Sequence, residues 1–238
     1  MEATAGTLLD GRVRYTQPRT GFRSGIEPVL LAAFVPARPG ATVLEGGSGA
    51  GAALLCLAAR VPGMAGLGVE RAPELVALAT ANAAANEFAG LRFAVGDVLA
   101  GDPGGVFDHC CANPPYHAAG GTAASDPMRE GAKRAAPGLL GGWTAALARR
   151  LRPGGSLTLI LAAGGVPEVL AAMAAAGIGG GVLLPLWPKP EQAAKLVLLR
   201  GMKGGRTPFR LLPGLVLHRA AGGFTAAAEA VLRQGAGL

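Results

Sequence analysis

The sequence predicts an α/β protein with a mostly parallel, seven-stranded sheet and helices on both faces. Three observations predict it. Short apolar runs recur from residue 41 onward, and helical runs separate them. A glycine cluster leaves the first run and opens the first helix. The chain has 238 residues, half of them hydrophobic, which is enough for one large core. Strand and helix in alternation imply parallel neighbours, because a parallel pair needs a long crossover connection.

The elements follow in order. Residues 8–23, LLDGRVRYTQPRTGFR, are basic and turn-rich, and GIEPVLLAAFV (25–35) predicts a short helix ending before Pro36. Residues 1–40 are thus expected to form a basic, helical extension. Residues 41–238 are expected to form the core and a C-terminal extension of the same single domain. ATVLE (41–45) is a buried strand, AALLCLAAR (52–60) a helix and AGLGVE (65–70) the second strand. Pro73 suits the first turn of a helix over 73–86. LRFAVGD (91–97) and VFDHCCA (106–112) are the third and fourth strands. A helix over 138–151 precedes a Pro153-Gly154-Gly155 turn and a fifth strand, SLTLILAA (156–163). A helix at 166–176 and strands at 181–186 and 195–200 complete the body, and the tail at 210–234 adds a strand-like run and a last helix.

Composition narrows the function. The net charge is +7, which suits a polyanionic partner such as RNA. Three cysteines (Cys56, Cys110, Cys111) lack metal-ligand spacing and form no disulfide framework, so they read as buried thiols and no metal is expected. The start, MEATAGTLLDGRVRY, has early acids and no apolar signal core, so a cytoplasmic protein without a membrane anchor is expected. Residues 169–188 are uncharged and long enough to span a bilayer, but Gly177 and Gly179 to Gly181 divide them into a helix and a strand.

The chemistry gathers at strand ends. VLEGGSGAG places Glu45, Gly47, Gly49 and Gly51 between the first strand and the first helix, where glycines let the backbone turn tightly and approach a ligand. The spacing is not that of a dinucleotide fingerprint, and a P-loop lysine is lacking. The second strand ends in Glu70, followed by Arg71, where an acid can accept ribose hydroxyls. The third ends in Asp97-Val98, where an acid can accept from an adenine amino group. Three such features at successive strand ends favour an adenosine ligand. The fourth strand ends in Asn113-Pro114-Pro115-Tyr116: an amide, a rigid turn and an aromatic ring. That set suits either a pocket floor or a plain loop.

With these motifs in this order, the chain resembles the class I S-adenosylmethionine-dependent methyltransferases, which implies a Rossmann-like fold. In that family NPPY marks transfer to a planar amino or amide nitrogen. The chain looks in particular like the bacterial tRNA adenine-N6 methyltransferases that modify the base beside the anticodon of a valine tRNA. RVRYTQPRTGFRSGIEPVLLAAFVP, ANPPYH, DPMREGAKRA and GLVLHRAAGGFTAAAEAVLR carry that resemblance. It implies S-adenosyl-L-methionine as cofactor, held by Glu45, Gly47, Gly49, Gly51, Glu70, Arg71, Asp97, Val98 and Asn113. It implies tRNA as partner. The family's acid-then-leucine opening of the glycine loop is here Glu45-Gly46, which is expected to loosen the turn.

On this reading Asn113, Pro114, Pro115 and Tyr116 form a clamp. An exocyclic adenine nitrogen is a poor nucleophile because its lone pair is delocalised. The Asn113 side-chain oxygen can accept one N–H and the Pro114 carbonyl the other, while the prolines stiffen the loop and Tyr116 stacks on the base. His117 is adjacent and reads as structural. Arg12, Arg14, Arg19, Arg23, Arg129, Lys133 and Arg134 are candidate phosphate contacts, and Glu27 a candidate for the cofactor end of the pocket. Three rivals stand beside this reading. Release-factor glutamine methyltransferases share NPPY but usually carry a helical N-terminal domain, and about forty residues precede the first strand here. A small-molecule methyltransferase fits the +7 charge less well. A cofactor- or RNA-binding scaffold without catalysis is the third possibility, from a different class.

Overall fold

The structure is a computed structural model and describes residues 2–20, 24–100, 104–115 and 138–238. The chain opens with a hairpin, β1 (Ala3–Leu8) and β2 (Val13–Pro18), paired antiparallel with Leu8 opposite Val13. In its connection Leu9, Asp10 and Gly11 all take positive φ (50°, 54° and 88°), which the Asp-Gly pair accommodates. Within the segment read as turn-rich, residues 13–18 thus form a strand. Val13 and Tyr15 are buried on one face while Arg12 and Arg14 are exposed, which is the period of a strand. The expected helix of this region is α1 (Glu27–Phe34), which carries Pro28 in its first turn and buries every residue from there to Phe34. The carbonyls at its C-terminal end lack helical partners. Arg60 donates to Ala32 and Val35, and Arg200 donates to Phe34 while lying 4.5 Å above its ring.

The body continues through β3 (Thr42–Gly46), α2 (Ala52–Arg60), β4 (Ala65–Glu70), α3 (Pro73–Ala85), β5 (Leu91–Val95) and β6 (Phe107–Ala112). After it come α4 (Leu139–Arg149), β7 (Leu151–Ala162), α5 (Val166–Ala175), β8 (Ile178–Trp187) and β9 (Leu196–Lys203). The tail carries β10 (Arg210–Leu211), β11 (Leu215–Val216) and α6 (Ala226–Leu232). One sheet runs in the order β10-β8-β9-β7-β6-β3-β4-β5, and β11 also pairs with β8. The pairs from β7 to β5 are all parallel, and β9 is antiparallel to both β7 and β8. All seven expected strands are present. The sheet has nine because two short tail strands lie parallel on β8. Strand β7 starts at Leu151, earlier than expected, because the Pro153-Gly154-Gly155 segment is absorbed as an irregularity in its pairing with β6.

Residues 169–188 divide as expected. Gly177, at φ 70°, ends the α5 region, and β8 begins at Ile178. Among the described residues no helix is long and apolar enough to cross a membrane.

The sheet separates two cores. One packs α1, α2 and α6 through Leu30, Leu31, Leu54, Leu55 and Val231. The other packs α4 and α5 through Leu140, Leu147, Val169 and Met173. Adjacent residues of β6 supply opposite faces, Cys111 to the first core and Cys110 to the second. All three thiols are free and buried; burial pushes Cys56 and Cys110 up to about 12 and Cys111 well above its ordinary value. At the sheet edge remote from the glycine loop, the Asp108 carboxylate accepts from the Thr42 amide (2.7 Å) and hydroxyl (3.0 Å) and pairs with Arg152, tying β6 to β3.

Gly46 does not loosen its turn. A Cβ added there meets Val98 Cγ2 at 3.0 Å, Trp143 Cζ3 at 3.2 Å and Leu147 Cδ2 at 3.3 Å. Trp143 and Leu147 of α4 therefore fill the space that a larger side chain would need. Restoring the family's leucine with Gly46→Leu overpacks this site. The expected outcome is a loss of about 1–3 kcal/mol, read by denaturant unfolding, with most of it recovered when Trp143 is reduced to a smaller apolar residue in the same chain.

Candidate active site

The register of the parallel strands brings the motifs together. Gly46, the last residue of β3, pairs with Val69 of β4 on one side and Ala112 of β6 on the other. Glu70 and Asn113 thus stand one residue beyond, flanking the glycine loop. The loop is built from backbone. The amides of Gly47 (2.8 Å) and Ser48 (3.2 Å) both donate to the Val69 carbonyl, and Gly51 donates to Ser48 (2.8 Å). Gly47, at φ 63°, presses on Trp143, where an added Cβ would lie 2.8 Å from the ring. Gly51, at φ 88°, begins α2 against Phe93 at 2.9 Å by the same measure. Other residues cannot adopt this backbone in this space.

A narrow cleft, continuous with solvent, opens above the loop. Glu45, Gly47, Gly49 and Asn113, four of the residues the sequence singles out, line it together. Tyr15, Pro18, Ser24, Pro28, Ser48 and Leu75 line it too, and the sequence analysis does not assign them a place there. The signal for Tyr15 was present: Val13 and Tyr15 alternate with arginines directly after an Asp-Gly turn, so both face inward.

Each polar group in the cleft has a distinct state. Glu45 is 3% exposed and accepts one hydrogen bond, from the Leu54 amide at 3.3 Å. Burial pushes its carboxyl up to about 8, the Leu54 amide pulls it down, and the charge of Glu70 adds to the rise. The phenol of Tyr15 shares a hydrogen bond with Ser24 (2.8 Å), and burial pushes it up to about 12. The Asn113 Oδ1 atom is buried and has no hydrogen-bond partner among the described residues. An acceptor left in that state costs on the order of 1–3 kcal/mol. Pro114 behind it is buried and Pro115 half-buried, so the amide stands on a fixed base.

None of the other expected residues that the structure describes lines the cleft. Glu70 accepts from the amides of Gly49 and Ala72, both at 3.1 Å, so it braces the loop from behind. Asp97 accepts from the Leu99 amide (2.8 Å) and stands 3.9 Å from Arg71, and Val98 packs near Gly46. Glu27 begins α1, next to the cleft residue Pro28. Arg12, Arg14 and Arg19 sit on the hairpin region and have partners in their own chain: the carbonyls of Gln234 (2.6 Å) and Ala85 (3.4 Å), and the Glu2 carboxylate (3.3 Å). Arg23, Tyr116, His117, Arg129, Lys133 and Arg134 lie outside the described residues. Among the described residues no cluster of three or more His, Cys, Asp or Glu could hold a metal.

The residues present fit the cofactor that the resemblance implies. An orphaned acceptor and a buried carboxyl meet at a glycine loop that lacks the side chains to close it. Comparison with known proteins agrees at the level of family. The family model described as the methyltransferase small domain matches residues 27–171, from α1 into α5, and the chain belongs to that family. Release factor glutamine methyltransferase of Rhodospirillum rubrum is 42% identical over 92 residues, which are 37% of this chain and 27% of that relative. The chain therefore matches about a quarter of the length of that curated relative. A solved structure described as a predicted O-methyltransferase from Agrobacterium tumefaciens superposes with a TM-score of 0.73 at 24% identity, covering 89% of this chain and 98% of that one. A geranyl diphosphate C-methyltransferase from Streptomyces coelicolor, solved with S-adenosyl-L-homocysteine, superposes at 0.53 with 15% identity over 73% of each chain. These likenesses establish a Rossmann-like methyltransferase fold.

The raised Glu45 carboxyl makes a testable link to pH. Its folded value, about 8, lies above its ordinary 4.5, so the folded chain holds this proton more tightly than the unfolded chain does. The stabilisation is full below the ordinary value and disappears as pH rises through about 8. Glu45→Gln removes the titration. In thermal unfolding of the cofactor-free protein, the variant's melting temperature minus that of the wild type is expected to climb between about pH 5 and about pH 9 and then level off.

Proposed function

We propose that this chain is an S-adenosyl-L-methionine-dependent N-methyltransferase whose acceptor is an exocyclic amino nitrogen, adenine N6 in tRNA. The observation that carries it is the buried Oδ1 of Asn113, without a hydrogen-bond partner among the described residues and in one cleft with Glu45 and the glycine loop. Such an atom invites an N–H donor, and an amino or amide nitrogen supplies one.

When bound, the cofactor supplies a methyl group already activated as a sulfonium. The backbone at Gly47 and Gly49, which carries no side chain and whose amides already donate to the Val69 carbonyl and the Glu70 carboxylate, would let the cofactor's amino-acid end approach Glu45. There an ammonium would favour the Glu45 carboxylate and offset the rise caused by burial. Asn113 Oδ1 accepts one N–H of the acceptor, and the Pro114 carbonyl accepts the second. Two acceptors at fixed angles draw the nitrogen lone pair out of conjugation and aim it at the methyl group. The methylated nitrogen would be acidic enough to lose its proton to water, so no strong base is required of the residues around it. Tyr15 and Pro18 wall the acceptor side, which admits a planar group. A base in a structured loop must leave its stack to enter, and the +7 charge favours a polyanion that carries it.

A second reading is glutamine N5 methylation of a protein. A side-chain amide offers the same planar N–H pair to Asn113, and the Rhodospirillum rubrum relative bears that name over its 92 matched residues.

Labelled methyl transfer separates the two. The enzyme is incubated with labelled S-adenosylmethionine and either total tRNA from a strain lacking the gene or purified release factors. Label recovered as N6-methyladenosine, reduced about 100-fold or more in Asn113→Ala, is the expected result. Label in glutamine of a release factor and none in tRNA would replace the acceptor. An Asn113→Ala enzyme that transfers methyl at the wild-type rate would refute the clamp.

A further inference from the structure

The cleft's two walls belong to parts of the chain far apart in sequence, and one side chain touches both. Asn82, on α3, is 3% exposed. Its Nδ2 donates to the Thr16 carbonyl (2.8 Å) and to the Ala50 carbonyl (3.0 Å), and its Oδ1 accepts from the Thr16 amide (2.8 Å). Thr16 lies in β2 between the cleft residues Tyr15 and Pro18, and Ala50 lies in the glycine loop and lines the cleft itself. One turn along the helix, Asn86 repeats the pairing with Arg14: Oδ1 accepts its amide (2.8 Å) and Nδ2 donates to its carbonyl (2.7 Å). Asn86 also donates to the Asn82 carbonyl (2.8 Å) but makes no hydrogen bond to the glycine loop among the described residues.

The spacing explains the fit. Four helical residues advance about 6 Å and two strand residues about 6.7 Å. Two asparagines at i and i+4 therefore meet alternate residues of one strand edge. α3 takes the place of a third strand on the hairpin, whose other edge is occupied by β1. A simple docking device would need only these pairings. The extra bond to Ala50 joins the docked strand to the loop.

We propose that Asn82 is a positioning residue that couples the cofactor loop to the acceptor wall, so that filling the loop orders Tyr15 and its strand for the acceptor. The proposal rests on the reading that the glycine loop binds the cofactor. Ordering the Ala50 carbonyl fixes the Asn82 amide, and the same amide fixes Thr16 through its N–H and C=O. Loop and wall then tighten together, and the acceptor meets a wall already in place.

Hydrogen exchange read by mass spectrometry tests this, with S-adenosylhomocysteine as the probe. In the wild type the probe is expected to slow exchange in residues 46–54 and also in residues 13–18, where slowing by direct contact with the cleft residues Tyr15 and Pro18 would survive the loss of Asn82. In Asn82→Ala slowing at 46–54 is expected to persist while slowing at 13–18 falls by about tenfold. In Asn86→Ala, which loosens the same strand without touching the loop, the probe is expected still to slow residues 13–18. Slowing confined to 46–54 in the wild type overturns the coupling, and this arm holds even if a variant fails to fold. Equal loss in both variants also overturns it, because simple docking would then suffice. Slowing at neither segment, with no binding by calorimetry, overturns the cofactor reading and the coupling with it.

Discussion

The parallel pairing of β3 with β4 on one side and β6 on the other is the constraint from which the site follows. Gly46 is opposite both Val69 and Ala112, so three strands end together. Beyond that line stand the glycine loop, Glu70 as the last residue of β4, and Asn113. A shift of one residue in either pairing would turn these groups to the other face or away from the edge. Both faces of the sheet are covered by cores, so the register is held from two sides. Binding at the carboxyl ends of parallel strands is the general outcome of such a sheet.

The polar groups of the cleft are kept in states that disfavour the empty protein. Glu45 is buried with one hydrogen bond, and Asn113 Oδ1 is buried with none among the described residues. The surrounding structure holds both. Glu45 is anchored by β3 and by the Leu54 amide of α2, while Asn113 follows directly from β6 and precedes a rigid proline pair. A ligand that brings a cation to the first and an N–H to the second relieves both costs at once, and this differential is a source of affinity and orientation. None of the three buried thiols lines the cleft, and burial pushes each of them above its ordinary value.

Most of the fold was legible because local signals agreed with the global arrangement. Each strand from 41 to 112 is an apolar run bounded by turn residues, and Gly177 marks the change from α5 to β8 plainly. Glu45, Gly47, Gly49 and Asn113 were legible because strand ends can be counted. The hairpin was less so: its strands are short and half polar, and the arginines around Val13 and Tyr15 obscured their alternation. The two tail strands have two residues each, too few for any period to register. Asn82 and Asn86 looked like ordinary polar positions of an alanine-rich helix, since their partners are backbone atoms some seventy residues away. Gly46 appeared a defect because Trp143, which occupies its missing side chain's place, is distant in sequence.

A crystal structure with S-adenosylhomocysteine bound tests the central claim most directly. The account predicts its amino-acid end on Gly47 and Gly49 beside Glu45, and its sulfur facing Asn113 with Oδ1 still open toward the acceptor side. A ligand seated elsewhere, or Asn113 Oδ1 engaged by the protein's own backbone in that complex, would contradict it.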